Sequence, residues 1–347
     1  MGRNGGFVLN TLLKSGTNDF HGVAYGAIRR TGMDANQFFN NAAGIPLSPI
    51  PNDAWAGNLG GPLYIPHLYD GRDRTFWFFA LEGYNNSAAN SSRFYVPTAA
   101  ERAGDFSQTK TATGAPLVLY DPSTTVQNPD GTYGRAPFPN NTIPANRINT
   151  VGQNIANYYP LPASAPAYYG DPDITGSSSS VSKGRQYVGK VDEQFFPWWR
   201  ASASYMHTWT IEPGPEFFGG PAANGQWALW RVEDVTAINN LLTISPTTVL
   251  AVRYGFNRFP NLFYTTSERQ GFDPTTLGFP ASYVGQMMGH KFPIINTSTA
   301  LTLSDGNGSY YNLVSNNFST ILSRIQGPER LALLSLCQRT KNTTIFG

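Results

Sequence analysis

Hydrophobic and polar positions alternate along several stretches of this chain with the two-residue period of a strand. From Thr248 to Arg258, Leu250, Val252, Tyr254 and Phe256 face one way, and Arg253, Gly255 and Asn257 the other. Asn239 to Ile244 reads as the incoming strand, with Ser245, Pro246 and Thr247 as the turn. Arg200 to Trp209 sets Ala201, Ala203, Tyr205 and Trp209 against Arg200, Ser202 and Ser204. Gln186 to Gln194 sets Tyr187, Gly189 and Val191 against Val188, Lys190, Asp192 and Gln194. The strongest strand is Thr75 to Tyr84, with Trp77, Phe79 and Leu81 on one face and Phe76, Phe78, Ala80 and Glu82 on the other. Asp70 to Asp73 supplies the turn before it.

The chain opens differently. Phe7 to Leu13 is a nearly continuous apolar run behind Gly5 and Gly6, as in a strand buried on both faces. Ser15 to Asn18 carries turn chemistry. After Phe20, bulky Val23, Tyr25 and Ala27 alternate with Gly22, Ala24 and Gly26. Trp55 to Ile65 is a further strand, weakened or bent by Gly60, Gly61 and Pro62, and it predicts a hairpin with Thr75 to Tyr84. Residues 85–184, rich in Pro, Gly, Asn and Ser and ending in the run Gly176 to Ser180, read as a long excursion outside the sheet. Two short helices are predicted in it. Thr98 and Glu101 have capping-box spacing ahead of Gly104, and Ile148, Val151 and Ile155 recur at helical spacing before Pro160.

Alternation alone fits a soluble sandwich as well as a membrane barrel. Strands near the ~9–11 residues that cross a bilayer at a tilt, and small polar or charged side chains on the second face, favour the barrel. A very long loop counts against a compact soluble domain and is ordinary on a barrel.

Composition fits either a secreted β-rich protein or a β-barrel embedded in an outer membrane. Charged residues are 13% of the chain and aromatic residues 14%, against about 25% charged in ordinary soluble domains. The longest apolar approach, Arg74 to Leu81, is far short of the ~18–20 residues of a spanning helix. A net charge of +2 without a polybasic block gives no argument for nucleic acid. The single cysteine, Cys337, excludes an intrachain disulfide framework. The opening MGRNGG lacks a secretory apolar region, so a signal for export would stand upstream.

Candidate chemistry is sparse. His21, His67, His207 and His290 are isolated in sequence, and no metal-ligand spacing, nucleophile elbow, phosphate loop or dinucleotide fingerprint occurs. Asp305 to Gly308 and Asn128 to Gly131 read as turns. Asp192-Glu193 and Glu233-Asp234 are adjacent, so within strands each pair splits between opposite faces. The residues point to no catalytic site, no metal and no cofactor.

Taken in order, the motifs resemble a TonB-dependent outer-membrane receptor of the Oar-like type, which carries a carboxypeptidase-regulatory-like domain at its N-terminus. The matching residues are Gly5-Gly6 through LKSGTNDFHG (Leu13 to Gly22), DANQFFN (Asp34 to Asn40), NLGGPL (Asn58 to Leu63) and RTFWFFALEGYN (Arg74 to Asn85). VPTAAERAGDFS (Val96 to Ser107), YDP (Tyr120 to Pro122), PFPNNTIPANRI (Pro137 to Ile148) and YPLP (Tyr159 to Pro162) follow. SPTTVLAVRYGFNRF (Ser245 to Phe259) and GFDPTTLGFPASYV (Gly271 to Val284) complete the series.

The resemblance implies an all-β protein: an incomplete portion of an antiparallel transmembrane β-barrel, with long loops and a few short helices. Residues 1–15 would end the plug domain and 16–318 would form the N-terminal part of the barrel, with the long loop at about 85–184. Residues 319–347 would be a divergent tail that departs from the strand pattern. The implied task is not enzymatic: the receptor binds a large or scarce solute and imports it with energy from the TonB complex, in the outer membrane of a Gram-negative bacterium. Glu82, Lys190, Asp192, Arg253 and Asn257 would line the lumen as ligand-binding candidates, and their opposites would touch outer-membrane lipid. The family's TonB-contacting segment has no counterpart here, and Leu13 stands where the family more often has threonine. These departures imply an internal stretch of a receptor that would not close a transport-competent barrel by itself. The rival reading is a soluble, secreted β-rich protein whose Tyr and Trp side chains stack on carbohydrate.

Overall fold

A computed structural model describes residues 12–347 apart from 37, 43, 45, 48, 49, 223–226, 266–270, 288, 298, 305–307, 327, 328 and 347. Most of the apolar run Phe7 to Leu13 and of the Asp305 to Gly308 turn therefore lies outside the described residues. In chain order the strands are β1 (His21–Arg29), β2 (Asn52–Pro62), β3 (Tyr64–Ile65), β4 (Tyr69–Asp70), β5 (Thr75–Phe94), β6 (Val126–Gln127) and β7 (Tyr133–Gly134). β8 (Ile174–Phe196), β9 (Trp199–Pro213), β10 (Trp227–Ser245), β11 (Thr248–Thr265), β12 (Ser309–Gln326) and β13 (Glu329–Phe346) follow. Nine of them form one antiparallel sheet in the order β1-β2-β5-β8-β9-β10-β11-β12-β13; β3-β4 and β6-β7 are two-residue pairs in the connections. Among the described residues the ladder does not join β13 back to β1, so the sheet is open.

Each strand lies beside its predecessor in the sheet, so the connections alternate between two ends. At one end they are short: β8 to β9 and β10 to β11 each turn within two residues, and Gln326 pairs with Glu329 where β12 gives way to β13. At the other end lie the long connections 30–51, 95–173, 214–226 and 266–308. The register divides the side chains between two faces. One carries Phe79, Tyr187, Tyr205, Ile238, Tyr254 and Phe318, all exposed apolar side chains. The other carries Ser202, Ser204, Asn239, Asn257, Asn317 and Ser319. The hairpin of Trp55 to Ile65 with Thr75 to Tyr84 is present, but β2 ends at Pro62, with Gly60 and Gly61 still paired to Phe78 and Trp77.

Three differences from the sequence reading have physical causes. The excursion is shorter than 85–184, because β5 and β8 stay paired from Asn85↔Lys183 to Phe94↔Ile174 and take in Gly176 to Ser180. Away from an apolar solvent a ladder is held by its backbone hydrogen bonds, so a Ser/Asn-rich ribbon pairs without side-chain alternation. Residues 319–326 and 329–346 of the expected tail continue the sheet: 319–326 complete β12, and β13 pairs with it from Gln326↔Glu329 to Ser309↔Phe346. The run Leu331 to Leu336 puts leucines on both faces of an edge strand, which hides its period. In β1 the bulky Val23 and Tyr25 fall on the polar face, opposite Asn58 and Ala56, and Gly22, Ala24 and Gly26 fall on the apolar one.

The principal buried core is not in the sheet. Val96, Tyr159, Ala222, Leu277, Phe292, Leu301 and Leu303 are buried together, drawn from three of the long connections. Edge-to-face rings extend the cluster: Tyr158 against Phe292 at 4.9 Å, and Phe94 against Phe217 and Phe218 at 5.2 and 5.6 Å. These three connections thus fold as one cap over their end of the sheet. Its helices are α2 (Ala99–Arg102), α3 (Thr150–Ala156) and α4 (Ala281–Val284); α1 (Phe38–Ala42) lies in the first long connection. The Thr98/Glu101 capping box is formed, as the spacing predicts.

Candidate functional site

The five side chains singled out in the sequence share one face of the sheet. Glu82 stands opposite Gln186, Lys190 opposite Phe78 and Ser204, and Asp192 opposite Phe76 and Ser202. Arg253 stands opposite Asn239 and Ser319, and Asn257 opposite Val235 and Ser315. They do not form one cluster. Lys190 and Asp192 are an ion pair, Nζ to Oδ1 at 3.1 Å. Asn257 donates to Glu233 Oε1 at 3.4 Å, two strands from that pair. Glu212 and Arg231, joined at 2.8 Å, add a further pair on the same face, which strand parity alone would have found.

Against this polar face lies the peptide that leads into β1. Lys190 donates from Nζ to Ser15 Oγ at 2.6 Å, across 175 positions of sequence. Gly16 is buried on the ends of β2 and β5, where a Cβ would come within 2.5 Å of the Gly61 carbonyl oxygen. Only glycine allows that approach. Asn18 then accepts from the Asp73 amide at 2.7 Å, and Phe20 places its ring beside Gly61 and 6.4 Å from Trp77, on the apolar side. Between Ser15 and Phe20 the chain passes from one face of the sheet to the other. Ser15, Asp73, Arg74, Asp192, Glu193 and Arg200 line an open cleft of about 380 Å³ at this crossing.

The cap is organised by one buried carboxylate. Glu101 accepts from the Tyr95 hydroxyl at 2.9 Å, the Thr98 amide at 2.8 Å and the Thr109 hydroxyl at 2.9 Å. Burial, with Glu101 beside it, pushes the Tyr95 phenol well above its ordinary value. Asp173 accepts from the Val96 amide at 3.0 Å, and burial raises its carboxyl. These contacts tie both ends of the 95–173 connection to the core.

The apolar face carries a polar group that the sequence reading missed. His207, isolated in sequence, meets Asp234 through the β9–β10 register, Nδ1 to Oδ1 at 2.8 Å, and Tyr205 donates to the same oxygen at 2.7 Å. Glu233 and Asp234 take opposite faces, as adjacency in a strand requires. One rung further along, Arg185 lies between the rings of Trp55 and Trp209, 5.1 and 5.8 Å from their centroids. Gly83 makes room for this: a Cβ there would clash with the Trp55 ring. Among the described residues no cluster of three His, Cys, Asp or Glu could hold a metal ion.

No described helix is long and apolar enough to cross a membrane, whereas an antiparallel sheet with one apolar and one polar face is the pattern of a wall that crosses with strands. No curated protein and no solved structure matches the chain. A family model described as an outer membrane beta barrel domain matches residues 12–329. The chain belongs to the outer membrane beta barrel domain family, and its place is the outer membrane of a Gram-negative bacterium.

Proposed function

We propose that this chain supplies wall strands of a TonB-dependent receptor, which binds a large or scarce solute outside the cell and imports it with energy from the TonB complex. The observation that carries the reading is the crossing at Ser15 to Phe20. A peptide that leaves the polar face, threads over Gly60-Gly61 and becomes the first wall strand is what a plug joined to a barrel requires. In this reading the polar face with Glu82, Lys190, Asp192, Arg253 and Asn257 lines the lumen, where water hydrates its charges, and the apolar face meets lipid. Exposed Val23 and Tyr25 then point toward a plug able to cover them. Residues up to about 15 end the plug, the wall begins near Gly16, and the cap is the outer vestibule. The open edges of β1 and β13 fit neighbouring wall strands, because unpaired backbone groups in lipid cost several kcal/mol each. The receptor binds and moves its solute without transforming it. Outer-membrane residence excludes the soluble, secreted carbohydrate-binding protein as the alternative.

The test is uptake by the producing bacterium and by a strain lacking the gene, over a panel of ferric siderophores, cobalamin, oligosaccharides and peptides, with and without a protonophore. The expected result is loss of one class of uptake in the deletion strain, and the same loss when the protonophore is added to the parent. Gene-dependent uptake that persists with the protonophore would mark a passive pore and contradict the proposal.

A further inference from the structure

Cations gather on the apolar face at one level. Arg258 comes ten positions after Thr248 at the short-turn end of β11, Arg339 ten positions after Glu329 in β13, and Arg185 eleven positions before Phe196 in β8. A tilted strand crosses the hydrocarbon in ~9–11 residues. Below this level the face offers Leu250, Val252, Tyr254 and Phe256 on β11 and Val191 and Tyr187 on β8; at it, the charges begin. Lys341 shares a rung with Arg258, two strands away through Val314, a separation of about 10 Å. Lys183 follows Arg185 on the same face.

Counting Arg30, which pairs with Asp53 at 2.6 Å, six cations thus stand against two acids at this level, and the second acid, Asp234, is engaged with His207 at 2.8 Å. Arg258 lies 3.9 Å from Asp234 with its side chain half exposed, and Arg339 and Lys341 are exposed. The whole chain has a net charge of only +2, so the imbalance is local. Short turns of outer-membrane barrels face the periplasm and long loops the outside, which sets this rim at the headgroups of the outer leaflet. Cations on a lipid-facing surface at headgroup depth are stabilised by anionic headgroups.

We propose that the outer rim formed by Lys183, Arg185, Arg258, Arg339 and Lys341 binds the phosphate groups of the phosphorylated glycolipid of the outer leaflet. This rests on the apolar face being the lipid-facing one and owes nothing to solute uptake. Arg185, held between two indoles on β8 and donating to the Tyr84 and Gly184 carbonyls, is the fixed point of the rim, and the exposed Arg339 and Lys341 grip phosphate on β13, five strands away in the sheet.

The test uses protein extracted from outer membranes into detergent and titrated with bisphosphorylated lipid A, with dephosphorylated lipid A and with inorganic phosphate, binding being read by native mass spectrometry. The bisphosphorylated lipid should bind at least tenfold more tightly than the dephosphorylated one. Each of Arg339→Gln and Lys341→Gln should weaken it about fivefold, from ~1 kcal/mol per surface cation, and Arg135→Gln in the cap should not. Equal binding of the phosphate-free lipid, or no change in the Arg339→Gln/Lys341→Gln double variant, overturns the proposal. So does inorganic phosphate binding as tightly as the lipid, which would mark a site for a free anion. Because the readout is lipid binding, it can fail while energised uptake stands, and the reverse.

Discussion

Lys190 Nζ lies 2.6 Å from Ser15 Oγ and 3.1 Å from Asp192 Oδ1, so one wall cation holds both the lead-in peptide and its own strand neighbour. The Lys190 side chain is 15% exposed, which shields the contact from water enough for it to count. Losing a hydrogen bond to a charged group costs about 1.5–3 kcal/mol, and opening of the lead-in should rise about tenfold or more. Lys190→Met is therefore expected to speed tryptic cleavage after Lys14 in protein extracted from membranes. Gly16→Val should do the same by steric expulsion, because its side chain would meet the Gly61 and Trp77 carbonyls. Unchanged cleavage in both variants would remove the latch from this description.

Glu101→Ala should loosen the cap and leave the wall intact. It strands the Tyr95 and Thr109 hydroxyls and the Thr98 amide, at about 1–3 kcal/mol for each group left buried without a partner. Hydrogen exchange should rise across 95–173 but not in β10 and β11, and Glu101→Gln should restore part of the protection. A uniform rise through the strands would mean that cap and wall unfold as one unit.

The cap should also respond to pH through Asp173. Burial raises its carboxyl above the ordinary value of 3.8, so the folded cap holds this proton more tightly than the unfolded chain. The contribution is complete below 3.8 and is lost as pH rises through the raised value. Asp173→Asn keeps an acceptor for the Val96 amide and removes the titration. It should slow exchange of that amide at pH 7 and flatten its pH dependence; faster exchange in the variant would contradict this.

Much of the wall was legible because lipid and water impose opposite demands on alternate residues. Leu250, Val252, Tyr254 and Phe256 against Arg253, Gly255 and Asn257 fixed β11 and its faces. Where only water surrounds the ladder that demand lapses, so the pairing of Ser87 to Ser92 with Gly176 to Val181 left no trace in the pattern. The cap core was illegible for another reason: Val96, Leu277 and Phe292 stand in short apolar runs broken by proline or glycine, with neither a strand nor a helix period, and they meet only through connections far apart in sequence. The His207–Asp234 pair likewise exists only through the β9–β10 register.

The sheet order predicts which strands are neighbours in the membrane. Phe318 pairs directly with Cys337, whereas Gly26 is at the far edge on the same face, with nothing within 4 Å of a Cβ placed there. A short thiol cross-linker should therefore join Cys337 to a cysteine at Phe318 and not to one at Gly26. A cross-link from Gly26 would mean that the nine strands close on themselves.

The two-faced wall is the central claim, and cysteine scanning along β11 tests it most directly. In cells with Cys337→Ser, single cysteines from Leu250 to Asn257 are read for labelling by a water-soluble thiol reagent and, with a fluorophore attached, for quenching by lipid-borne quenchers. The account predicts aqueous labelling at 253, 255 and 257 and lipid quenching at 250, 252, 254 and 256. Equal labelling at both parities, or the inverse pattern, would contradict it.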